Sequence, residues 1–323
     1  MVLILDENDV QSIIDIGSTV ERMESAFLEL GHGRVIMPKR SRMTIPDTSG
    51  TIRLMPAALL DSKISGLKVL AGSAGKRRIG ENYFLILLHD YQDGALQCIM
   101  SANRLTQLRT GALAAVATKH LARKNSKRIG LIGAGVQGQG QLEAINYIRH
   151  LEQGLIYDID PKKAAQLADF AKQNLGVDMK VVDTLKAAIK DVDIVVTTTT
   201  SSDPFLKLSM VVKGTHINAI GSNLPNRREL DESVLTGSKI VVDSREQAIE
   251  ESGDFEPIRK NILKDDIIHA EISEVLTGKK SGRTNDSEIT VFKSVGVALQ
   301  DIITARLLYE RAVQKGIGKQ INL

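Results

Sequence analysis

The run Gly133-Ala134-Gly135-Val136-Gln137-Gly138 has the Gly-x-Gly-x-x-Gly spacing, follows the apolar stretch 129–132 and leads into a segment of helical period. Such a loop can hold a pyrophosphate. A glycine at 133 permits the tight turn, one at 135 lets the backbone approach the phosphates, and one at 138 lets helix and strand pack closely. The helix start adds amide N–H groups and a positive dipole end, so Val136 and Gln137 belong to the same dinucleotide cradle. Asp158, twenty residues after Gly138, closes the next apolar run. Its carboxylate can accept from an adenosine ribose and would repel a 2′-phosphate, and no Arg follows at Ile159 or Asp160. NAD is therefore expected, with NADP second.

A dinucleotide does not by itself define a reaction, and the cations of the first third of the chain carry the next clue. Arg53 opens Arg-Leu-Met-Pro, Lys68 interrupts Gly-Leu-Lys-Val-Leu, and Arg109 lies in Leu-Arg-Thr-Gly-Ala at an apparent helix start. Cations inside apolar runs are seldom buried without a partner. A substrate carboxylate would pair them, with Arg as a bidentate fork and Lys as a point charge. Taken singly, each fits a surface strand with a snorkelling stem equally well. Thr110, at the same apparent helix start, could touch cofactor phosphates or simply cap the helix. Asn223 follows the apolar run 216–220, where the carboxyl end of a parallel strand would offer its amide to substrate or nicotinamide; a turn-forming loop residue is the alternative.

Other polar residues read as inert. The six histidines show no metal-binding spacing. Glu229, Asp231, Glu250, Glu251 and Asp254 read as exposed charges without chemistry, Lys76-Arg77-Arg78 as a loop rather than an anion site, and the lone Cys98 as core.

Elements of two kinds must position these residues. Between 129 and 242, short apolar runs at 129–132, 155–157, 180–182, 194–197, 216–220 and 240–242 alternate with helical segments such as 139–149 and 162–173. That alternation predicts an α/β, doubly wound parallel sheet. The first 115 or so residues predict a smaller α+β region, with a helix at 20–30 and strands at 66–70 and 84–89. A further strand at 289–292 and an amphipathic helix at 297–315 follow. The expected division is 1–117 with 300–323 for the smaller domain and 118–299 for the dinucleotide domain.

With 323 residues, 42 Lys+Arg against 39 Asp+Glu, and 42% hydrophobic residues, the chain has an ordinary globular composition with room for two cores. A net charge of +3 is too weak to indicate nucleic acid or a membrane surface as partner. One cysteine suits a reducing compartment, and Met1–Leu5 lacks the pattern of a leader, so a cytoplasmic location is expected.

Several segments together resemble the ornithine cyclodeaminase/mu-crystallin family. They are Met37-Pro38-Lys39-Arg40, Arg53-Leu54-Met55-Pro56-Ala57, Leu108-Arg109-Thr110-Gly111-Ala112, 132–138, His216-Ile217-Asn218-Ala219-Ile220-Gly221, Arg228-Glu229-Leu230-Asp231 and Thr290-Val291-Phe292-Lys293-Ser294-Val295-Gly296. The resemblance implies a Rossmann domain and a smaller α+β domain that binds substrate and forms a homodimer. It also implies that Lys68 and Arg109 hold the substrate carboxylate, joined by Arg40, and that Lys68 handles protons. Cyclodeaminases of the family carry Glu at the position of Arg53 and Asp at that of Asn223. Both carboxylates are missing here, and an amide cannot exchange protons near neutral pH. The expectation is an NAD(H)-dependent oxidoreductase that interconverts a small L-amino acid and its imino or 2-oxo acid, as in the alanine dehydrogenase and ketimine reductase branches. Ornithine cyclodeamination and a non-catalytic, mu-crystallin-like dinucleotide-binding role are the alternatives.

Overall fold

The computed structural model describes residues 1–46, 50–73 and 83–322; the basic run Lys76-Arg77-Arg78 lies outside them. The chain forms two compact units, residues 1–109 with 297–323 and residues 110–296.

In the first unit, strands alternate inward and outward side chains with period two. Along Ile64–Ser73, Ile64, Gly66 and Lys68 are buried while Leu67 and Val69 are half-buried. The eight-stranded sheet runs Lys319–Ile321, Val2–Leu5, Leu96–Ser101, Tyr83–Asp90, Ile64–Ser73, Gly50–Leu59, Val35–Ile36, and Ser41–Ile45 also pairs with Gly50–Leu59. All pairings are antiparallel except that of Val2–Leu5 with Leu96–Ser101. Helix Ala298–Lys315 packs across the strands Gly50–Leu59, Ile64–Ser73 and Tyr83–Asp90. The approach is close enough that a Cβ at Gly66 would lie 2.9 Å from Ile302 Cδ1 and 2.7 Å from Leu87 O. On the opposite face, Leu54 and Leu85 are exposed, as are Met43 and Ile45 on the adjoining strand.

The second unit is a Rossmann-type doubly wound sheet. Its eight strands, all parallel, are ordered Asp178–Val181, Gln153–Tyr157, Arg128–Ile132, Ile194–Thr197, His216–Ala219, Thr290–Lys293, Lys239–Val242, Ile268–Glu271. The side chains of the inner strands Arg128–Ile132, Ile194–Thr197, His216–Ala219, Thr290–Lys293 and Lys239–Val242 are buried on both faces, which is why these strands read as continuous apolar runs. Only Ile268–Glu271 has no counterpart among the expected strands. Helix Val136–Arg149 starts at the glycine run, and helix Pro161–Phe170 has Asp160 as N-cap and Pro161 in its first turn.

Helix Asn103–Leu121 begins earlier than its sequence suggests. The Glu7 side chain accepts from Asn103 N at 3.2 Å and Arg104 N at 2.8 Å and thereby serves as a cap supplied from far away in the chain. Arg109, Thr110 and Gly111 consequently lie inside the helix rather than at its start. Among the described residues, no helix is long and apolar enough to cross a membrane.

Candidate active site

Lys68 points into the first unit from the buried face of its strand, and Asp301, in the first turn of helix Ala298–Lys315, meets it. The ammonium donates to Asp301 Oδ1 at 2.7 Å and to Thr106 Oγ1 at 2.8 Å, and lies 5.2 Å from the centre of the Phe84 ring. Arg109 brings its Nε to the same Asp301 oxygen at 3.0 Å and donates through Nη1 to Gln300 Oε1. All of these charged groups are buried; Asp301 is 0% and Lys68 1% exposed.

Burial holds the Lys68 ammonium well below its ordinary range, at about 8; Asp301 resists the shift, and the positive charges of Arg109 and Arg40 add to it. Two cations thus share one carboxylate, an arrangement with excess positive charge in a place sheltered from water. Asp301 Oδ2 and Gln300 Nε2 are buried without a hydrogen-bond partner.

The structure therefore brings Lys68 and Arg109 together and places Arg40, half-buried ahead of Ser41–Ile45, within electrostatic reach of Lys68. Arg53 lies on the neighbouring strand and shares the buried side of that strand with Thr51 and Met55, the latter opposite Lys68. Sequence reasoning missed Thr106, Gln300 and Asp301. The available signal was an ionisable residue set among Leu299, Ile302 and Ile303 in a helix otherwise read as an apolar stripe.

The glycine loop lies in the second unit. Gly133 has φ +103, and a Cβ there would lie 2.8 Å from Thr198 O. A Cβ at Gly138 would collide with Gly133 O, whereas around Gly135, the N-cap of helix Val136–Arg149, nothing stands within 4 Å of a Cβ. No side chain caps that helix. Open backbone at 135 followed by an uncapped helix start fits a pyrophosphate. Val136 is exposed and Gln137 half-buried at this helix start. Asp158 accepts from Ala134 N at 2.7 Å and Asp160 N at 2.8 Å, so it ties the loop to the second strand. A carboxylate with about four acceptor positions keeps capacity for ribose hydroxyls.

Thr110 lies inside helix Asn103–Leu121 and does not cap it, which corrects the expected helix start. Its neighbour Gly111 has a packing reason: a Cβ there would collide with Gly140 O of helix Val136–Arg149.

The carboxylates at 229 and 254 also require correction. Glu229 and Asp254 are wholly buried rather than exposed. Glu229 accepts from Thr199 N at 2.7 Å, Thr199 Oγ1 at 2.9 Å, Thr197 Oγ1 at 2.8 Å and Gly221 N at 2.8 Å. Asp254 accepts from Glu229 N at 2.6 Å and Leu230 N at 2.9 Å, and pairs with the buried Lys293 at 3.0 Å. Burial raises the Glu229 carboxyl above its usual range, while Lys293 counters the shift. This network fixes the loops after strands Ile194–Thr197 and His216–Ala219, and the second of these loops carries the half-buried Asn223. Asp231 caps helix Glu232–Gly237, Glu250 is exposed and Glu251 half-buried. Among the described residues, no group of three His, Cys, Asp or Glu could hold a metal ion.

A Rossmann unit with a phosphate-ready glycine loop is joined in this chain to a unit that buries two cations on one carboxylate. The chain belongs to the ornithine cyclodeaminase/mu-crystallin family, whose profile matches residues 2–316. It is 36% identical over 324 residues to a Delta(1)-pyrroline-2-carboxylate reductase of Bacillus cereus, covering 99% of each chain. It is also 36% identical over 323 residues to the alanine dehydrogenase of Archaeoglobus fulgidus, covering 99% of this chain and 98% of the relative. Among solved structures, Thermococcus litoralis Delta(1)-pyrroline-2-carboxylate reductase in complex with NADH and L-proline superposes with a TM-score of 0.94 at 40% identity, over 99% of this chain and 100% of that one. An archaeal alanine dehydrogenase dimer with bound NAD matches with a TM-score of 0.94 at 35% identity, over 100% of this chain and 99% of that one. NAD is the cofactor those structures carry, and the glycine loop and Asp158 fit it.

Proposed function

We propose that the chain is an NAD(H)-dependent reductase of a small cyclic α-imino acid, with Delta(1)-pyrroline-2-carboxylate as substrate and proline as product. The observation that carries this reading is the buried pair of cations, Lys68 and Arg109, held on the single carboxylate of Asp301. A lone substrate carboxylate would balance the charge that Asp301 leaves unpaired. Reduction of a C=N bond takes up one hydride and one proton. When bound, the reduced nicotinamide supplies the hydride to the imine carbon.

Lys68 supplies the rest of the balance. An ammonium that titrates at about 8 is protonated near neutrality yet able to release its proton, the property a general acid needs. Arg109 stays charged throughout and anchors the carboxylate as a fork. Arg53 and Arg40 are assigned to the same anionic substrate and Asn223 to the substrate or the carboxamide. Gly133, Gly135, Val136, Gln137, Gly138 and Asp158 are assigned to the cofactor. The exposed apolar sheet face with Leu54, Leu85, Met43 and Ile45 supports a homodimer, the state in which the archaeal alanine dehydrogenase was solved.

The second reading is interconversion of alanine with pyruvate and ammonia, favoured by the 36% identity to the Archaeoglobus enzyme. Cyclodeamination is disfavoured by Arg53 and Asn223, which stand where cyclodeaminases have carboxylates. The test is NADH oxidation with preformed five- and six-membered cyclic 2-imino acids and with pyruvate plus ammonia. Fastest turnover on the five-membered imine, with one proline formed per NADH consumed, is expected. Turnover confined to pyruvate plus ammonia would transfer the assignment to the second reading.

A further inference from the structure

Asp301 stands above only as the counter-charge of Lys68 and Arg109. We propose that Asp301 is the positioning residue of the anion site. One of its oxygens fixes the Lys68 ammonium and the Arg109 Nε at a common point, so that their remaining N–H groups are set for one substrate carboxylate. The proposal rests on the imino-acid reading above and adds what holds that site in register.

An ammonium has three N–H groups; Lys68 gives one to Asp301 and one to Thr106, which leaves the third. Thr106 is itself fixed, because its hydroxyl donates to Ala102 O at 2.6 Å and so can only accept from Lys68. Arg109 sets Nε in ion-pair contact with Asp301 at 3.0 Å without a hydrogen bond and gives one Nη1 N–H to Gln300, and a substrate carboxylate would take from its remaining N–H groups. Without Asp301, two like charges inside the unit would repel each other and separate, and the register between point charge and fork would be lost.

The same carboxylate sets the pH range of the site. The groups that act on Lys68 are Asp301 from helix Ala298–Lys315, Arg109 from helix Asn103–Leu121, and Arg40 from the segment before Ser41–Ile45. Strand Gly50–Leu59 contributes Arg53 on its buried side, and strand Tyr83–Asp90 contributes the Phe84 ring. Of the charged groups that act on it, Asp301 alone favours the charged ammonium. Its removal therefore moves the loss of the ammonium to lower pH.

The experiment compares wild type, Asp301→Asn, Asp301→Glu, Lys68→Met and Asp301→Asn/Lys68→Met in the full chain with NADH. It follows kcat/KM for imine reduction and the binding of pyrrole-2-carboxylate, a planar carboxylate with no reducible C=N, across a pH series centred on about 8. In Asp301→Asn the alkaline limb of both profiles should move to lower pH, with at least about a tenfold loss of kcat/KM at pH 8 that recovers partly in acid. Asp301→Glu should keep the limb in place and lose kcat through displacement, a result that remains readable if the Asn variant does not fold. In the Lys68→Met background, Asp301→Asn should cost less than about twofold more.

A limb that stays in place in Asp301→Asn, an Asp301→Glu variant with unchanged kcat, or an Asp301→Asn cost that is undiminished without Lys68 would overturn the proposal. If wild type reduces no imine, pyrrole-2-carboxylate binding still reads the limb. The assignment of the reaction then fails separately from that of Asp301.

Discussion

Each unit buries a lysine on an aspartate, and the two pairs are built to opposite ends. Lys68 and Asp301 lie 2.7 Å apart in the first unit, Lys293 and Asp254 3.0 Å apart in the second, and all four side chains are at most 1% exposed. Around Lys293 the excess charge is negative, because Glu229 joins Asp254, and the backbone N–H groups of Thr199, Gly221, Glu229 and Leu230 meet it. Around Lys68 the excess is positive, because Arg109 joins it, and Asp301 Oδ2 and Gln300 Nε2 are left without hydrogen-bond partners. A buried charge cluster completed by backbone donors holds loops in place. Lys293 Nζ likewise makes no hydrogen bond, so the two clusters differ in the sign of the surplus charge and in the backbone donors on their carboxylates, and a surplus of cations suits an anionic ligand.

If that distinction holds, substitutions in the two clusters should fail in different ways. Lys68→Met should lower kcat/KM for imine reduction by about a thousandfold while NADH affinity, read by fluorescence titration, stays within about twofold. Retained activity would break the comparison. Lys293→Met should instead act on the fold, leaving two buried carboxylates uncompensated at a cost of about 3–5 kcal/mol, measured by denaturant unfolding. A stability equal to wild type would show that Lys293 is dispensable.

Glu229→Gln sharpens the second arm. Loss of an acceptor from a group with four donors around it should cost about 1–3 kcal/mol. The pH dependence has a definite sign. Burial raises the folded-state carboxyl pKa, so the folded chain binds more protons than the unfolded chain, and the Glu229 contribution falls as pH rises from 4.5 through the folded value. The stability gap between wild type and Glu229→Gln should therefore narrow with rising pH. The smallest effect is expected of Arg109→Lys, which keeps charge but loses the fork: KM for the imino acid should rise about tenfold with the fold unchanged.

The Rossmann unit was largely legible because strands buried on both faces, such as Ile194–Thr197, appear as unbroken apolar runs, and because Gly133, Gly135 and Gly138 follow one of them directly. Lys68 and Arg109 stood out as charges in apolar company. Partners that arrive from distant sequence were hidden. Asp301 comes from a helix 233 residues beyond Lys68, Lys293 fixes carboxylates that looked solvated, and the cap of helix Asn103–Leu121 is Glu7 rather than a local residue. Local pattern reports which face of an element is apolar; it does not report which remote charge will neutralise a buried one.

The most direct test of the central claim is a crystal structure of the chain with NADH and L-proline. The account predicts the proline carboxylate within hydrogen-bond distance of Lys68 Nζ and the Arg109 guanidinium, with Asp301 still between the two cations. A proline bound elsewhere, with Lys68 and Arg109 making no contact to it, would contradict the account.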